Sequence, residues 1–252
     1  MELHRKLISE STDSYNIYTA YGYDDGSITI SQQSIDAAET LKRNLFSHDS
    51  PVSCLSFSNS SNNIKLVSCS FCSVIIWSLA NGKWKIKKEI KLQSECNTAS
   101  FSSDDSKIAL GMCNGKIEIR DANELNLIQV IDAEESGSIV SVFHEHELIC
   151  GTEFGRIIRF DEEGNKKETK AFKNVPIIWL DCNDNNEIGF VCDDATILVY
   201  GSNGELSEIP FNRNVKPFRC QWNLITNSLT VIDDLGGKHN FLRLPNEEWK
   251  CF

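Results

Sequence analysis

Short apolar runs and polar turns alternate along this chain from end to end. One motif recurs: an apolar run, a polar or glycine turn, then a second run alternating apolar and polar residues. It appears as IYTAYGYDDGSITIS (17–31), LVSCSFCSVIIWS (66–78), IALGMCNGKIEIRD (108–121), LICGTEFGRIIRFD (148–161), IGFVCDDATILVYG (188–201) and, distorted, LTVIDDLGGKHNFLRL (229–244). With Gly26, Ser73, Gly115, Gly155, Ala195 and Gly236 as turn markers, the spacings are 47, 42, 40, 40 and 41. A tight hairpin needs positive φ near the end of its turn, which accounts for glycine at four of the six marks.

Each unit has a further strand-like run upstream: VSCLSFS (52–58), NTASFSS (97–103), SIVSVFH (138–144), PIIWLDC (176–182) and FRCQWNL (218–224). Most have a fourth run downstream. In KWKIKKEIKL (83–92), Trp84, Ile86, Ile90 and Leu92 take one face and Lys83, Lys85, Lys87 and Lys91 the other, a period of two that predicts a strand. Its lysines suit an outer edge, where charge deters pairing with other chains. No helical pattern long enough for a crossover occurs. Four short strands per unit of about 40 residues is the blade of a β-propeller. The expected fold is therefore all-β, a single domain over 1–252 with about six four-stranded blades.

The account is tight at both ends. Unit one has only MELHRKLIS for its first strand, and unit six ends soon after its third, at NFLRLPNEEWKCF. Either the N-terminal run completes the last blade, or the chain is a portion of a larger propeller.

Composition narrows the function. At 40% hydrophobic and 24% charged residues a packed core is expected. No run of about 18 apolar residues suggests a membrane span, and the start MELHRKLISE is too polar for a signal peptide. A net charge of −11 argues against nucleic acid or an anionic membrane as partner and allows a basic protein. The ten cysteines read as reduced thiols of a cytoplasmic or nuclear protein.

With the repeat on the page, the sequence resembles the WD40-repeat family over nearly its whole length. Unit two, SHDSPVSCLSFS…LVSCSFCSVIIWS, has His48 before its first strand, Ser68 in its second and Trp77 ending its third. The resemblance implies that these hydrogen-bond with an aspartate in the second hairpin turn, where this unit has Cys72, so the network is expected to be incomplete. Asp25, Asn114 and Asp194 fit that turn position elsewhere, with Ser31, Arg120 and Tyr200 in place of the tryptophan.

Candidate chemistry is sparse. Cys69 and Cys72 form a C-x-x-C pair, but no second pair lies at finger spacing, and by repeat position one is mid-strand and the other in a turn, so packing is the preferred reading. His144 and His146 alternate in a way that suits a metal, yet read better as a solvated turn. No nucleophile elbow, zincin helix or phosphate loop occurs. No cofactor, metal or catalytic residue is expected, and the chain is expected not to be an enzyme.

The acidic turns carry the functional expectation. YDDG, CDDA and IDDLG place Asp24, Asp25, Asp193, Asp194, Asp233 and Asp234 at second hairpin turns. Asp49, Glu95, Glu134 and Glu135 fall in the loops leading into blades, which share a propeller face with those turns, while Lys173, Arg213 and Lys216 interrupt the arc. Aspartate also simply suits turns. The expected function is a non-catalytic WD40-type scaffold binding a basic protein or a Lys/Arg-rich segment through this face. An alternative rests on the last unit, NSLTVIDDLGGKHNFLRL, which is similar over about 15 residues to the closing repeat of apoptotic protease-activating adapters. That resemblance implies the regulatory C-terminal propeller of a longer caspase-activating protein.

Overall fold

The computed structural model describes residues 5–15, 17–33, 41–46, 48–133, 137–144, 146–211, 214–223, 226–244 and 248–252. It is built of strands that form six four-stranded antiparallel sheets, each contiguous in sequence. Sheet one holds β1 (Leu7–Thr12), β2 (Tyr18–Tyr23), β3 (Ser27–Gln32) and β4 (Leu41–Phe46). Sheet two holds β5 (Cys54–Phe57), β6 (Lys65–Ser70), β7 (Ser73–Ala80) and β8 (Lys83–Lys91). Sheet three holds β9 (Cys96–Phe101), β10 (Lys107–Met112), β11 (Lys116–Asp121) and β12 (Leu127–Asp132), and sheet four β13 (Ile139–His144), β14 (Glu147–Thr152), β15 (Arg156–Phe160) and β16 (Lys166–Ala171). Sheet five runs β17 (Ile177–Cys182), β18 (Ile188–Cys192), β19 (Ile197–Tyr200) and β20 (Leu206–Glu208), and sheet six β21 (Pro217–Asn223), β22 (Ser228–Asp233), β23 (Lys238–Arg243) and β24 (Trp249–Cys251). The chain divides into two compact units, Met1–His146 and Glu147–Phe252.

The core explains why the middle strands read as unbroken apolar runs. In the first unit the facing sides of sheets one and two bury Tyr18, Ala20, Ile28 and Ile30 against Leu55, Leu66, Ile75, Trp77 and Trp84. In the second, sheets five and six bury Val191, Ile197 and Val199 against Cys220, Trp222, Val231 and Trp249. A strand covered on both faces favours apolar residues and needs hydrogen-bond partners for any polar one; all six residues of β6 are buried, and its Lys65, Ser68 and Ser70 are each hydrogen-bonded. The outermost strands lack that cover, and β4 and β16 are mostly exposed.

Three local expectations change. The N-terminal run does not complete the last sheet. It forms β1, paired with β2 from Leu7 opposite Tyr23 to Thr12 opposite Thr19, and sheet six has its own fourth strand in β24. Second, Ser73 opens β7 and is not the turn. The turn is Phe71–Cys72, with Phe71 at φ +42°. Third, β8 does not keep one alternation throughout. Ile86 lies opposite Trp77 and Lys88 opposite Ile76, a bulge at Lys87, so Ile90 faces Val74 on the other side of the sheet from Ile86. An extra residue in one strand reverses the facing of everything beyond it.

Candidate functional site

Most second hairpin turns are capped by a side-chain oxygen. In sheet one Asp25 accepts from the Ser27 backbone N–H at 3.0 Å and from its hydroxyl. In sheet three Asn114 accepts from Lys116 N at 3.2 Å, and in sheet five Asp194 accepts from Thr196 N at 3.0 Å and from its hydroxyl. A side-chain oxygen capping the amide two residues on is the Asx turn, the reason Asp and Asn favour this position. Sheet four uses Thr152, whose Oγ1 accepts from Phe154 N and Arg156 N, both at 3.3 Å. The Ser27 hydroxyl and amide hold the Asp25 carboxyl below the ordinary carboxylate range. Slight burial disfavours the charge of Asp194, but the Thr196 hydrogen bonds outweigh it and hold that carboxyl low as well.

Turn glycines have a second duty. A Cβ on Gly26 would collide with the carbonyl oxygen of His48, and one on Gly155 with that of Lys173. The loop leading into the next sheet crosses directly over the turn, so only glycine fits there. This crossing assembles a patch in the first unit. Val52 N donates to Tyr23 O at 3.0 Å, laying residues 48–52 on the turn that carries Asp24 and Asp25. Asp24, Asp25 and Asp49 are all exposed. Asp24 Oδ1 accepts from Lys6 N at 2.9 Å. Arg5 flanks the patch, stacked 4.4 Å over Tyr23 and donating to Ser27 Oγ at 3.0 Å.

In the second unit the acids meet cations. Lys216 Nζ lies 2.9 Å from Asp193 Oδ1, and its backbone N–H donates to Asp234 Oδ1 at 3.1 Å. Lys173 Nζ is 3.9 Å from Asp194 Oδ2. Exposed pairs of this kind contribute about 0–1 kcal/mol each, so they blunt the acidic character without removing it. Asp233 stands apart from the other expected acids. It is buried, accepting from Leu235 N, Gly237 N and His239 Nε2 at 2.7–2.9 Å. Burial disfavours its charge, but these donors outweigh it and hold the carboxyl low. Asp233 shapes its turn and presents nothing to solvent. Glu95 accepts a long contact from the Cys113 thiol at 3.6 Å; Glu134, Glu135 and Arg213 lie outside the described residues.

His48, Ser68 and Trp77 meet in the first unit. Ser68 Oγ lies 2.7 Å from His48 Nε2 and takes the Trp77 indole N–H at 2.9 Å. Cys69 is buried in β6 and Cys72 half-buried in the turn. Among the described residues no group of three or more His, Cys, Asp or Glu side chains is placed to hold a metal ion. His146 is exposed in the turn after β13; the side chain of His144 lies outside the description.

Two features were not singled out from the sequence. On β17 and β21, Trp222 N donates to Asp181 Oδ2 at 2.7 Å, and the Arg219 guanidinium stacks 4.4 Å over Trp179. Burial pushes Asp181 up to about 6 against the opposing pull of the Trp222 and Cys182 amides and of Arg219. A carboxylate inside the apolar run IIWLDC was the available signal. A cleft of about 600 Å³ in the second unit is lined by Asn185, Glu187, Asn227, Arg243 and Trp249, where Arg243 Nη1 pairs with Glu187 Oε1 at 3.0 Å.

No family model matches the sequence. The structure is similar to the WD40 β-propeller domain of Doa1, with a TM-score of 0.78 at 16% identity over 96% of this chain and 80% of that one. It is similar also to the β-propeller domain of Cps50 (Swd1) from Myceliophteria thermophila, with a TM-score of 0.77 at 15% identity over 98% of this chain and 85% of that one. The fold is that of a WD40-type β-propeller. At these identities the likeness is one of fold, and each four-stranded sheet is a blade.

Proposed function

We propose that this chain is a non-catalytic interaction scaffold whose second hairpin turns and blade-connecting loops bind a basic protein or a Lys/Arg-rich segment. The observation that carries the reading is the exposed patch of Asp24, Asp25 and Asp49, held together where the loop into blade two lies on the turn of blade one. WD40-type propellers generally bind other proteins, and a net charge of −11 favours a basic partner over nucleic acid or an anionic membrane. The second unit has exposed acids of its own in Asp193, Asp194 and Asp234, tempered by Lys173 and Lys216. Ten free thiols fit a reducing compartment, the cytoplasm or nucleus.

The test changes Asp24, Asp25, Asp49, Asp193, Asp194 and Asp234 to Asn. Asparagine keeps the turn-capping oxygen and removes the charge. Asp233 is left alone because it is buried. Circular dichroism should show an intact fold, and a partner captured with the parent protein should bind the variant more weakly, with the difference shrinking as salt rises. Equal binding at low salt means the aspartates serve only their turns.

A further inference from the structure

The outer edge of blade two carries lysines without an ion pair among the described residues; β16 is lysine-rich too, but its Lys167 and Lys170 pair with Glu147 and Glu168. β8 is the longest strand of the fold, nine residues, and stands at the end of its sheet beyond β7. An edge strand turns a row of backbone N–H and C=O groups outward, a template for another extended chain. Five of its residues are lysines, Lys83, Lys85, Lys87, Lys88 and Lys91, against one Glu89, in a chain of net charge −11. By contrast β12 exposes Leu127, Ile128 and Val130, and β20 and β24 are three residues each.

The lysines are unequally engaged. Lys87 Nζ donates to Asn123 Oδ1 at 2.9 Å, Lys88 lies 3.5 Å from Glu124, and Lys91 lies 3.5 Å from Glu89. Lys83 and Lys85 are exposed and make no ion pair among the described residues. Register sorts the edge by face. Lys83 and Lys85 lie opposite Ala80 and Ser78 on one side of the sheet; Trp84 and Ile86 lie opposite Leu79 and Trp77 on the other. Ile86 is 46% exposed although it neighbours the core, so an apolar position is left open beside the charged ones.

We infer that this edge accepts, as a fifth strand of blade two, an extended segment of a partner protein in which acidic residues alternate with apolar ones. The backbone ladder supplies affinity for any extended chain, and the side chains choose among them. Acidic residues of the added strand fall beside Lys83 and Lys85, and apolar ones beside Trp84 and Ile86. The same lysines repel a basic strand, including β8 of a second copy, so one device both deters self-pairing and selects the partner.

The test uses the full chain and a fluorescent nine-residue peptide of alternating Glu and Val, read by anisotropy. Two control peptides accompany it: one N-methylated at alternate residues, which blocks strand addition, and one with Lys for Glu. The double variant Lys83→Glu/Lys85→Glu is checked for fold by circular dichroism. We expect saturable binding of the Glu/Val peptide, no binding of the Lys peptide, and roughly tenfold or greater weakening by both the charge reversal and the N-methylation. Equal affinity for the N-methylated peptide, or for a single-stranded DNA of similar charge, would show an electrostatic strip that adds no strand. Unchanged binding by the double variant, absence of any binding, or a mass doubled in light scattering and restored to monomer by the charge reversal each overturns the inference.

Discussion

His48 Nε2 lies 2.7 Å from Ser68 Oγ, the oxygen that also takes the Trp77 indole proton at 2.9 Å. When the serine hydroxyl donates to Nε2, a neutral His48 carries its own proton on Nδ1. That nitrogen is buried with no hydrogen-bond partner among the described residues. The network thus ties a blade-connecting loop, β6 and β7 together while leaving Nδ1 unmet at its end.

This geometry makes stability depend on pH. Burial pushes the His48 imidazole down to about 4, whereas the unfolded residue titrates at about 6.5. Between those values the unfolded chain binds the proton and the folded one does not, so stability is full above about 6.5 and is lost as pH falls toward 4, by roughly 3 kcal/mol over the window. Asp181 has the opposite sign. Its carboxyl titrates near 6 when folded and near 3.9 when unfolded, so the folded chain binds the extra proton and gains stability as pH falls through that window, by about 3 kcal/mol. Urea melts should therefore change little from pH 6 to 4.5 in the parent. His48→Gln should grow more stable over that range and Asp181→Asn less stable. Parallel slopes in all three proteins would show that neither group titrates as its surroundings imply.

The unmet Nδ1 leads to a second expectation. The WD40 resemblance places an aspartate where this turn has Cys72. Cys72→Asp should give His48 an acceptor, raise its pKa and stabilise the fold by about 1 kcal/mol or more, since a charge-assisted bond to a buried donor is worth more than a neutral one. Thermal melting at pH 7 reads this, with imidazole NMR titration as the specific signature. An unaltered titration would mean that the two-residue turn, shorter than those of the other blades, aims position 72 away from the loop.

The thiols should separate by burial. Cys251 is exposed, Cys72 and Cys113 are half-buried, and the other seven are buried. Reaction needs the thiolate, and burial pushes Cys192 up to about 11 and Cys220 well above the ordinary thiol range; contact with Cys96 and burial raise Cys69 likewise. A thiol reagent at pH 8 should label one cysteine at once, two more slowly, and all ten only in denaturant. Stoichiometric zinc in the purified protein, or fast native labelling of Cys69, contradicts the packing of these side chains.

Which parts of this fold could be read in advance follows from what a linear pattern carries. The β6–β7 hairpin was legible because its apolar residues cluster on either side of a short turn and end on Trp77, with only small serines between them. β24 was not, because three residues show no alternation. The run MELHRKLIS reads as unit one's first strand, but Ser9, Glu10 and Ser11, polar residues that the structure buries, hide how far β1 extends. The bulge at Lys87 leaves no mark in composition, yet it decides which face Ile90 takes. At the acidic turns, sequence gave the right residues to place on hairpins. It did not reveal that Lys216 would reach Asp193, or that His239, six residues on, would claim Asp233.

The role of β1 yields the last prediction. Its strand covers one edge of β2, and Ser9 Oγ donates to Val52 O at 2.7 Å, joining blade one to the loop that starts blade two. Just beyond it, Asp13 Oδ1 accepts from Ile17 N and Tyr18 N, both at 2.7 Å, and fixes the turn into β2. Deleting residues 1–12 removes the strand and keeps that turn. Backbone groups along β2 then lose their partners, and Ala20, Ile30 and Val52, all buried in the intact chain, come within reach of water. Such an edge is both destabilising and prone to pair with other chains. The truncated protein should melt well below the parent or aggregate, and hydrogen exchange should quicken first in β2 and β5 while β22 to β24 stay protected. Had the N-terminal run served to complete the last blade, protection would instead be lost in β22 to β24. A monomeric truncation with unchanged melting would show that blade one holds with three strands.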